Sequence, residues 1–319
     1  MSDLTVKETA ALLRQMDDVL ILTHVRPDGD TVGCASALCL ALRALGKRAY
    51  LLPNPGQTRT TAPYFAPCEA PEGFAPKYVV STDIASRGLL PDNAQPYRDR
   101  IDLAIDHHPS FERFAAANIV RPEAAACGEL IYDILCQLGP VTAETALPLY
   151  VAVSTDTGCF QYSNTTPSTH RVAAALMETG IDFRAVNKIF FRTKSRKRMA
   201  LEGDMLANME FYDEGRVAVL KVPISLMERV GADESDAEDL SALGGQIEGV
   251  DCAVTMRELR PDVWKFSVRT GERINACSVC ARLGGGGHAA AAGATVSGTL
   301  EEARAAVLGA IRAVQETGG

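Results

Sequence analysis

Histidine and aspartate recur together at a few short places in this chain. His24-Val25-Arg26-Pro27-Asp28-Gly29-Asp30 carries one imidazole and two carboxylates, Asp106-His107-His108 carries one carboxylate and two imidazoles, and Asp83 and Asp156 follow other apolar runs. Side chains of these two types gathered at strand ends are what a site for two divalent cations requires. His24, Asp28 and Asp30 project from one tight loop, which Gly29 lets bend back, and can bind one cation while reaching towards a second. Asp83 can bridge the two, and His107 with Asp156 completes the second site. Four carboxylates and two imidazoles without a thiolate suit Mn²⁺ best and also accommodate Mg²⁺, Co²⁺ or Zn²⁺. Two such cations about 3.5–4 Å apart stabilise the attacking and the leaving oxygen of an in-line displacement, so the natural substrate is a phosphoester or phosphoanhydride.

Each residue alone has a plainer explanation. A strand-end aspartate is commonly a helix cap or turn residue, and an isolated histidine is commonly hydrogen-bonded structure. His170, at the helix start Thr166-Pro167-Ser168-Thr169, is read in that structural way. The other six would have to coincide at four strand-end loops, where their like charges repel unless cations offset them.

Gly284-Gly285-Gly286-Gly287-His288 is a different device. Consecutive glycines leave amide groups open, and such a nest takes anionic oxygens; His288 adds a donor or a proton. A flexible turn is the ordinary alternative, but a turn rarely needs four glycines. The basic run Arg192-Thr193-Lys194-Ser195-Arg196-Lys197-Arg198 reads first as a solvated helix face and second as a steering patch for an anionic substrate.

The elements that must position these groups follow from periodicity. An amphipathic helix covers 6–17, and Val19 to Val25 is a continuous apolar run, as expected of a strand buried on both faces. The loop Arg26 to Asp30 follows, then a helix through Ala35–Leu42 stopped at Gly46. Further strands are expected at 48–52, 77–83, 101–106 and 118–121, with a long irregular loop from Pro53 to Pro76 and helices over 126–138 and 142–153. Strands alternating with helices give a wound parallel α/β sheet whose ligands lie at the carboxyl ends of its strands. A Rossmann dinucleotide site is excluded by the missing G-x-G-x-x-G after the first strand. Residues 168–208 read as mostly helical. Beyond them come a strand at 216–222, helices at 223–230 and 235–247, a hairpin of 251–259 with 263–270, a strand near 294–297, and a last helix from Leu300 to about Glu316.

The totals narrow the function classes. A chain of 319 residues supports two domains, and 47% hydrophobic with 23% charged residues is a globular balance. A net charge of -8 and a single tryptophan argue against a grip on long nucleic acid, so a nucleotide substrate is small or held at one local site. The nine cysteines are irregularly spaced, and Cys277-x-x-Cys280 lacks the second pair a structural zinc would need, which fits a reducing cytoplasm. No signal peptide or membrane-spanning run is seen.

His24-x-x-Pro27-Asp28-x-Asp30, Asp83, Asp106-His107-His108 and Asp156 resemble the four motifs of the DHH phosphoesterase superfamily, and Gly284 to His288 resembles the end of its DHHA1 domain. The likeness runs from about residue 15 to 315. The run Phe160 to Thr166 is closest to the stand-alone nano-RNase and pAp-phosphatase group. The resemblance implies a DHH domain over 1–185, a helical linker over 186–208 and a smaller α/β DHHA1 domain over 209–319, with an active-site cleft between the domains. It also implies that His24, Asp28 and Asp83 bind one Mn²⁺ and that Asp30, Asp83, His107 and Asp156 bind the other. Asp106 would orient the Asp-His-His segment, His108 would face the scissile phosphate, and Arg269, Gly286, Gly287 and His288 would hold the far end of the substrate. Ala289 to Ala292 depart from the polar or basic residue that family members often carry after the glycine-rich histidine.

The expectation is therefore a cytoplasmic Mn²⁺-dependent phosphodiesterase and phosphatase. It would cut short RNA oligonucleotides to mononucleotides and dephosphorylate 3′-phosphoadenosine 5′-phosphate, with no long nucleic acid or membrane partner; a homodimer is compatible with the sequence. The rival readings are hydrolysis of linear or cyclic dinucleotide signals and, from another class, an inactive metal-containing nucleotide-binding regulatory module.

Overall fold

Strands buried on both sides dictate the first half of the chain. In the computed structural model, which describes residues 3–237, 240–271 and 273–316, α1 (Val6–Gln15) opens with a capping box between Thr5 and Glu8. It is followed by β1 (Val19–Leu22), α2 (Gly29–Ala44), β2 (Ala49–Leu51), α3 (Ala62–Phe65), β3 (Tyr78–Thr82), β4 (Leu103–Asp106) and β5 (Ala117–Val120). Helices α4 (Cys127–Leu138), α5 (Ala143–Asp156), α6 (Pro167–Glu178) and α7 (Phe183–Asn187) come next, and α7 runs into a π-helical turn, Lys188–Arg192. All five strands are parallel, in the order β2-β1-β3-β4-β5. The chain leaves β1 to one side for β2 and returns on the other side for β3. The carboxyl ends of β1 and β3 therefore flank a topological switch point, where open parallel sheets bind ligands.

Val19, Ile21, Val80, Leu103 and Ile105 pack beneath residues of α2, α4 and α5, such as Leu38, Leu130 and Val153. Leu20, Leu22, Val79 and Ala104 face the other way, under Ile84, Leu90 and Phe111. That second face is covered by loops and 3₁₀ turns rather than by helices. Both faces are dry, so the strands read as unbroken apolar runs. Helices α2 and α5 approach closely through glycine: a Cβ at Gly33 would lie 2.3 Å from the Pro148 carbonyl oxygen.

A second compact unit begins at Lys194. It holds α8 (Arg196–Ala207), β6 (Glu210–Tyr212), β7 (Val217–Val222), α9 (Ile224–Val230), β8 (Cys252–Arg260), β9 (Val263–Thr270), α10 (Ala276–Ala281), β10 (Gly286–Gly287), β11 (Ala291–Ser297) and α11 (Leu300–Glu316). Its mixed sheet has the order β10-β11-β9-β8-β7-β6, parallel only between β7 and β8. Val219, Val254, Phe266 and Val268 form one core with Val279 and Val307 from α10 and α11. Ala218, Leu220 and Val222 form another with Leu201 and Leu226 from α8 and α9.

Several local expectations are corrected. The first strand stops at Leu22, and the following helix starts at Gly29 rather than near Ala35, because the Asp28 carboxylate caps it by accepting from the amides of Asp30 and Thr31. Asp30 is thus a helical residue, not a loop residue. Gly29 is not among the glycines with positive φ. Its lack of a Cβ instead makes room for Thr155, whose Oγ1 would lie 2.3 Å from one. The helix expected over 142–153 extends to Asp156, which therefore lies in its last turn rather than in a strand-end loop. The 53–76 segment contains α3 and a 3₁₀ turn, and 234–246 is a series of 3₁₀ turns rather than one helix, with 238–239 outside the described residues. The edge strand β6 carries too few residues to be read from periodicity. Residues 186–208 are divided, the π-helical turn belonging to the first unit and α8 to the second. Among the described residues, no helix is long and apolar enough to cross a membrane.

Candidate metal centre

The side chains converge at the carboxyl ends of β1, β3 and β4. After β1, the Asn54 side-chain amide donates to Thr23 Oγ1 and to the His24 carbonyl, both at 2.9 Å, which fixes the backbone of His24. His24 Nε2 lies 3.5 Å from Asp28 Oδ1. In the first turn of α2, buried Asp30 accepts from the amides of Cys127 at 2.7 Å and Gly128 at 3.0 Å, and from the Cys34 thiol at 3.2 Å. Its carboxylate therefore also sits at the amino end of α4, where exposed amides favour negative charge. Thr31 Oγ1 donates to the Thr82 carbonyl at 2.8 Å and ties α2 to the end of β3.

Asp83 follows β3 with φ +58, a left-handed conformation that aspartate tolerates better than most residues. It is 3% exposed, and its Oδ1 has no hydrogen-bond partner. His107 Nε2 stands 3.5 Å from that oxygen, 3.7 Å from Asp30 Oδ2 and 3.5 Å from Asp156 Oδ2. The other nitrogen of His107, Nδ1, lies 3.1 Å from the Ala124 carbonyl. That contact assigns the ring proton to Nδ1 and leaves the Nε2 lone pair for a cation. Asp106 is fully buried; its Oδ1 accepts from the amide of His108 at 2.6 Å and from His108 Nδ1 at 2.8 Å, and its Oδ2 has no partner. Asp156 comes from the last turn of α5. Its carbonyl accepts from Asn164 Nδ2 at 3.1 Å, and the same amide donates to the Ala125 carbonyl at 2.9 Å.

The six residues fall into two clusters, His24 with Asp28 and Asp83, and Asp30 with His107 and Asp156, the potential ligand atoms within each lying within 4.8 Å of one another. Asp83 touches both. His108 also falls within that distance of Asp83 and His107, but its nitrogen nearest Asp83 is Nδ1, at 3.6 Å, and Asp106 already engages it. Burial pushes Asp30 and Asp83 well above the usual carboxylate range, and neighbouring carboxylates push them further. Asp156 is pushed up to about 6, by burial and then by Asp28, against the opposing charges of His107 and His108. The hydrogen bond to Asp106 raises His108 despite its burial. Orphaned buried oxygens on Asp83 and Asp106 and carboxylates that resist ionisation together describe a site short of positive charge. Two divalent cations fit that deficit.

The second unit places Arg269 on β9 opposite Ala291, and Ala291 closes a tight turn with His288, donating to its carbonyl and accepting from its amide at 2.8 Å. The open nest expected of the glycines is not formed in full. The amides of Gly284, Gly285 and His288 donate to the carbonyls of Ala281, Cys280 and Ala291. The glycines serve close approach instead: a Cβ at Gly285 would meet the Gly293 carbonyl oxygen at 2.1 Å, and one at Gly287 would meet Ala292 Cα at 2.6 Å. His170 stacks on Phe160, with ring centroids 5.3 Å apart, and belongs to neither of the two clusters. In the basic run, Lys194 and Arg198 pair with Glu202. Sequence reasoning missed Asn164 and the Thr155–Gly29 contact; an asparagine eight residues after a carboxylate carries no recognisable spacing.

The profile of the DHH family, N-terminal domain, matches residues 18–154, and that of the DHHA1 domain matches residues 215–316. The bifunctional oligoribonuclease and PAP phosphatase NrnA of Thermus thermophilus is 35% identical over 308 residues, covering 92% of this chain and 89% of the relative. The protein of the same description from Bacillus subtilis is 24% identical, covering 88% and 90%. The crystal structure of an exopolyphosphatase-related protein from Bacteroides fragilis shares the fold with a TM-score of 0.88 at 23% identity, covering 98% of this chain and 96% of that one. Exonuclease RecJ bound to manganese gives 0.53 at 14% identity, covering 99% and 95%.

Proposed function

The chain belongs to the DHH family and carries its DHHA1 domain, and from that membership we propose that it is a metal-dependent phosphoesterase that cuts short oligoribonucleotides to mononucleotides and dephosphorylates 3′-phosphoadenosine 5′-phosphate. The observation that carries the reading is Asp83, a buried carboxylate with an unpartnered oxygen between two clusters of imidazole and carboxylate. His24, Asp28 and Asp83 would hold one divalent cation, and Asp30, Asp83, His107 and Asp156 the other, with Mn²⁺ as the preferred metal. Cations bound there supply Lewis acidity to the phosphoryl oxygens and lower the pKa of an attacking water.

The chain's own groups do the rest. Ala124 and the Cys127 and Gly128 amides hold His107 and Asp30 in their ligating orientations. Asp106 fixes the His108 ring by Nδ1 and keeps it protonated more readily than a free imidazole. The remaining nitrogen, Nε2, would donate a proton to the leaving oxygen. Arg269, Gly286, Gly287 and His288 would grip the distal phosphate or base of the substrate, with Arg269 and the exposed His288 turn supplying donors.

A panel of 3′-phosphoadenosine 5′-phosphate, a diribonucleotide and a cyclic dinucleotide, assayed with Mn²⁺, tests the reading. Turnover of the first two, lost in chelator and in Asp83→Ala, is the expected result. Preferential turnover of the cyclic compound would favour the signalling-nucleotide alternative. Absence of turnover on every short nucleotide would leave a regulatory metal-binding module.

A further inference from the structure

The segment that leaves the metal centre after Asp156 is built in an unusual way. Gly158, Cys159 and Phe160 all have left-handed backbones, with φ of +55, +57 and +67. Such conformations are disfavoured for non-glycine residues and persist where the surroundings enforce them, often at binding sites. Here they are enforced. The Cys159 amide donates to the Ser154 carbonyl at 2.7 Å, and the amides of Gln161 and Tyr162 both donate to the Thr157 carbonyl. The Phe160 ring is anchored against Tyr150 and His170. Asn164 then ties the end of the segment back to the Asp156 carbonyl.

The result is one exposed aromatic ring in the short segment that follows Asp156. Tyr162 is 59% exposed, the largest fraction among the exposed large apolar side chains described. Its ring lies over Gly158, where a Cβ would come within 2.4 Å of Cε1 and Cζ. A glycine at 158 therefore serves twice, for its φ and for the ring it accommodates. Of the ligand-type residues, Asp28 and Asp156 are the open ones, with side chains 60% and 32% exposed, whereas those of Asp30 and Asp83 are under 5% exposed. Gly158, under the Tyr162 ring, lies two residues after Asp156, one of these two open carboxylates. Arg192, at the end of the π-helical turn, stands within electrostatic reach of Cys159 in the same segment. An exposed flat ring, held over Gly158 in a strained segment that starts two residues after Asp156 and has a cation within reach, matches a nucleobase next to its phosphate.

Building on the phosphoesterase reading above, we propose that Tyr162 is the base-stacking platform of the first domain and that its ring sets a preference for phosphates carrying a nucleobase. Stacking of this kind tolerates any base, because each base presents a π face. The test is binding to the Mn²⁺-loaded full chain by calorimetry, with adenosine 5′-monophosphate and ribose 5-phosphate as probes. Tyr162→Ala should weaken the nucleotide by about tenfold and leave the base-free sugar phosphate unchanged. Tyr162→Phe should restore nucleotide binding to within about twofold, and Mn²⁺ affinity should be the same in all three proteins. Equal weakening of both probes, or of Mn²⁺ itself, would make Tyr162 a support for Asp156 and overturn the proposal, as would no weakening of either. The phosphoesterase reading stands or falls separately, on wild-type turnover of the diribonucleotide.

Discussion

Asn164 and Asp156 are joined by a hydrogen bond that does not involve the carboxylate: the Asn164 side-chain amide donates at 3.1 Å to the Asp156 carbonyl and, with its other hydrogen, at 2.9 Å to the Ala125 carbonyl. Ala124, next to Ala125, orients His107 through its own carbonyl. One exposed amide thus links the segments that carry two residues of the same candidate metal cluster, although it touches neither the carboxylate nor the imidazole. Asn164→Ala should weaken Mn²⁺ binding by about tenfold, the lower end of what loss of ligand-orienting partners causes. Stability in chelator should fall by only about 1 kcal/mol, the net contribution of a partly exposed side-chain hydrogen bond. Calorimetric titration with Mn²⁺ beside a thermal melt separates the two, and unchanged affinity would show that α5 aims Asp156 without help.

Two glycines of α2 should behave differently when a methyl group is added. The three nearest atoms to a Cβ at Gly29 all belong to the Thr155 side chain, at 2.3–2.8 Å, whereas one at Gly33 meets the Pro148 carbonyl at 2.3 Å and the Ala152 amide nitrogen at 2.9 Å. Gly33→Ala forces two helix backbones apart and should cost about 3 kcal/mol, near the upper end for overpacking. Gly29→Ala should cost about 1–2 kcal/mol and be largely relieved when Thr155 is replaced by glycine in the same chain. Urea titrations of the single and double variants give the coupling directly. Equal costs with no coupling would mean that the α2–α5 contact yields uniformly.

The parallel sheet was legible because β1, β3 and β4 are dry on both faces, as Leu20 and Ile21 pack on opposite sides. The residue types of the site were legible because His24, Asp28 and Asp30 lie within one short segment. What escaped was contact across long sequence separation. Nothing in the order of residues tells that the carboxylate of Asp30 is held by the amides of Cys127 and Gly128, or that Gly29 faces Thr155. The glycines from 284 to 287 misled in the opposite way. Their spacing suggests open amides, but pairing with β11 claims the close approach that glycine permits. Backbone pairing between neighbouring strands overrode a local reading there.

Asp83 opposes stability and function. Its buried Oδ1 lacks a partner, burial and nearby carboxylates resist its ionisation, and its backbone is left-handed. Asparagine keeps the shape, tolerates the backbone and removes the charge. In chelator, Asp83→Asn should be more stable than the wild type by about 1–3 kcal/mol, the range for a buried unsatisfied group. With saturating Mn²⁺ the order should reverse, because the variant gains little from metal while the wild type is stabilised by mass action. Thermal melts of both proteins with and without Mn²⁺ decide it. A variant less stable than the wild type in chelator would show that the Asp83 carboxylate supports the fold by itself.

The same charge deficit gives the metal-free protein a pH dependence of defined sign. Asp156 titrates near 6 in the folded chain, raised by burial and by Asp28, against about 3.9 for an unperturbed aspartate. Between those values the folded state keeps a proton that the unfolded state has released, so stability in chelator falls as pH rises from about 4 to 6. His108, raised by its bond to Asp106, acts in the same direction at higher pH: its contribution is present below the unfolded pKa and is lost as pH rises through the folded one. With a discount for the solvent that reaches its half-buried side chain, Asp156 accounts for about 1–2 kcal/mol. Cations need the ionised carboxylates, so the stabilisation by Mn²⁺ should grow over the same interval. Melting temperatures taken from pH 4.5 to 7.5 should therefore diverge between chelated and Mn²⁺-loaded protein. Asp30 and Asp83, also raised by burial, act in the same direction, so Asp156→Asn should make the chelated curve between pH 4 and 6 less steep without levelling it, and should leave the fall at higher pH to which His108 contributes. A chelated wild-type curve that is level from pH 4.5 to 6.5 would mean that the carboxylates share their charge with solvent, and that the centre needs no cation to be at rest.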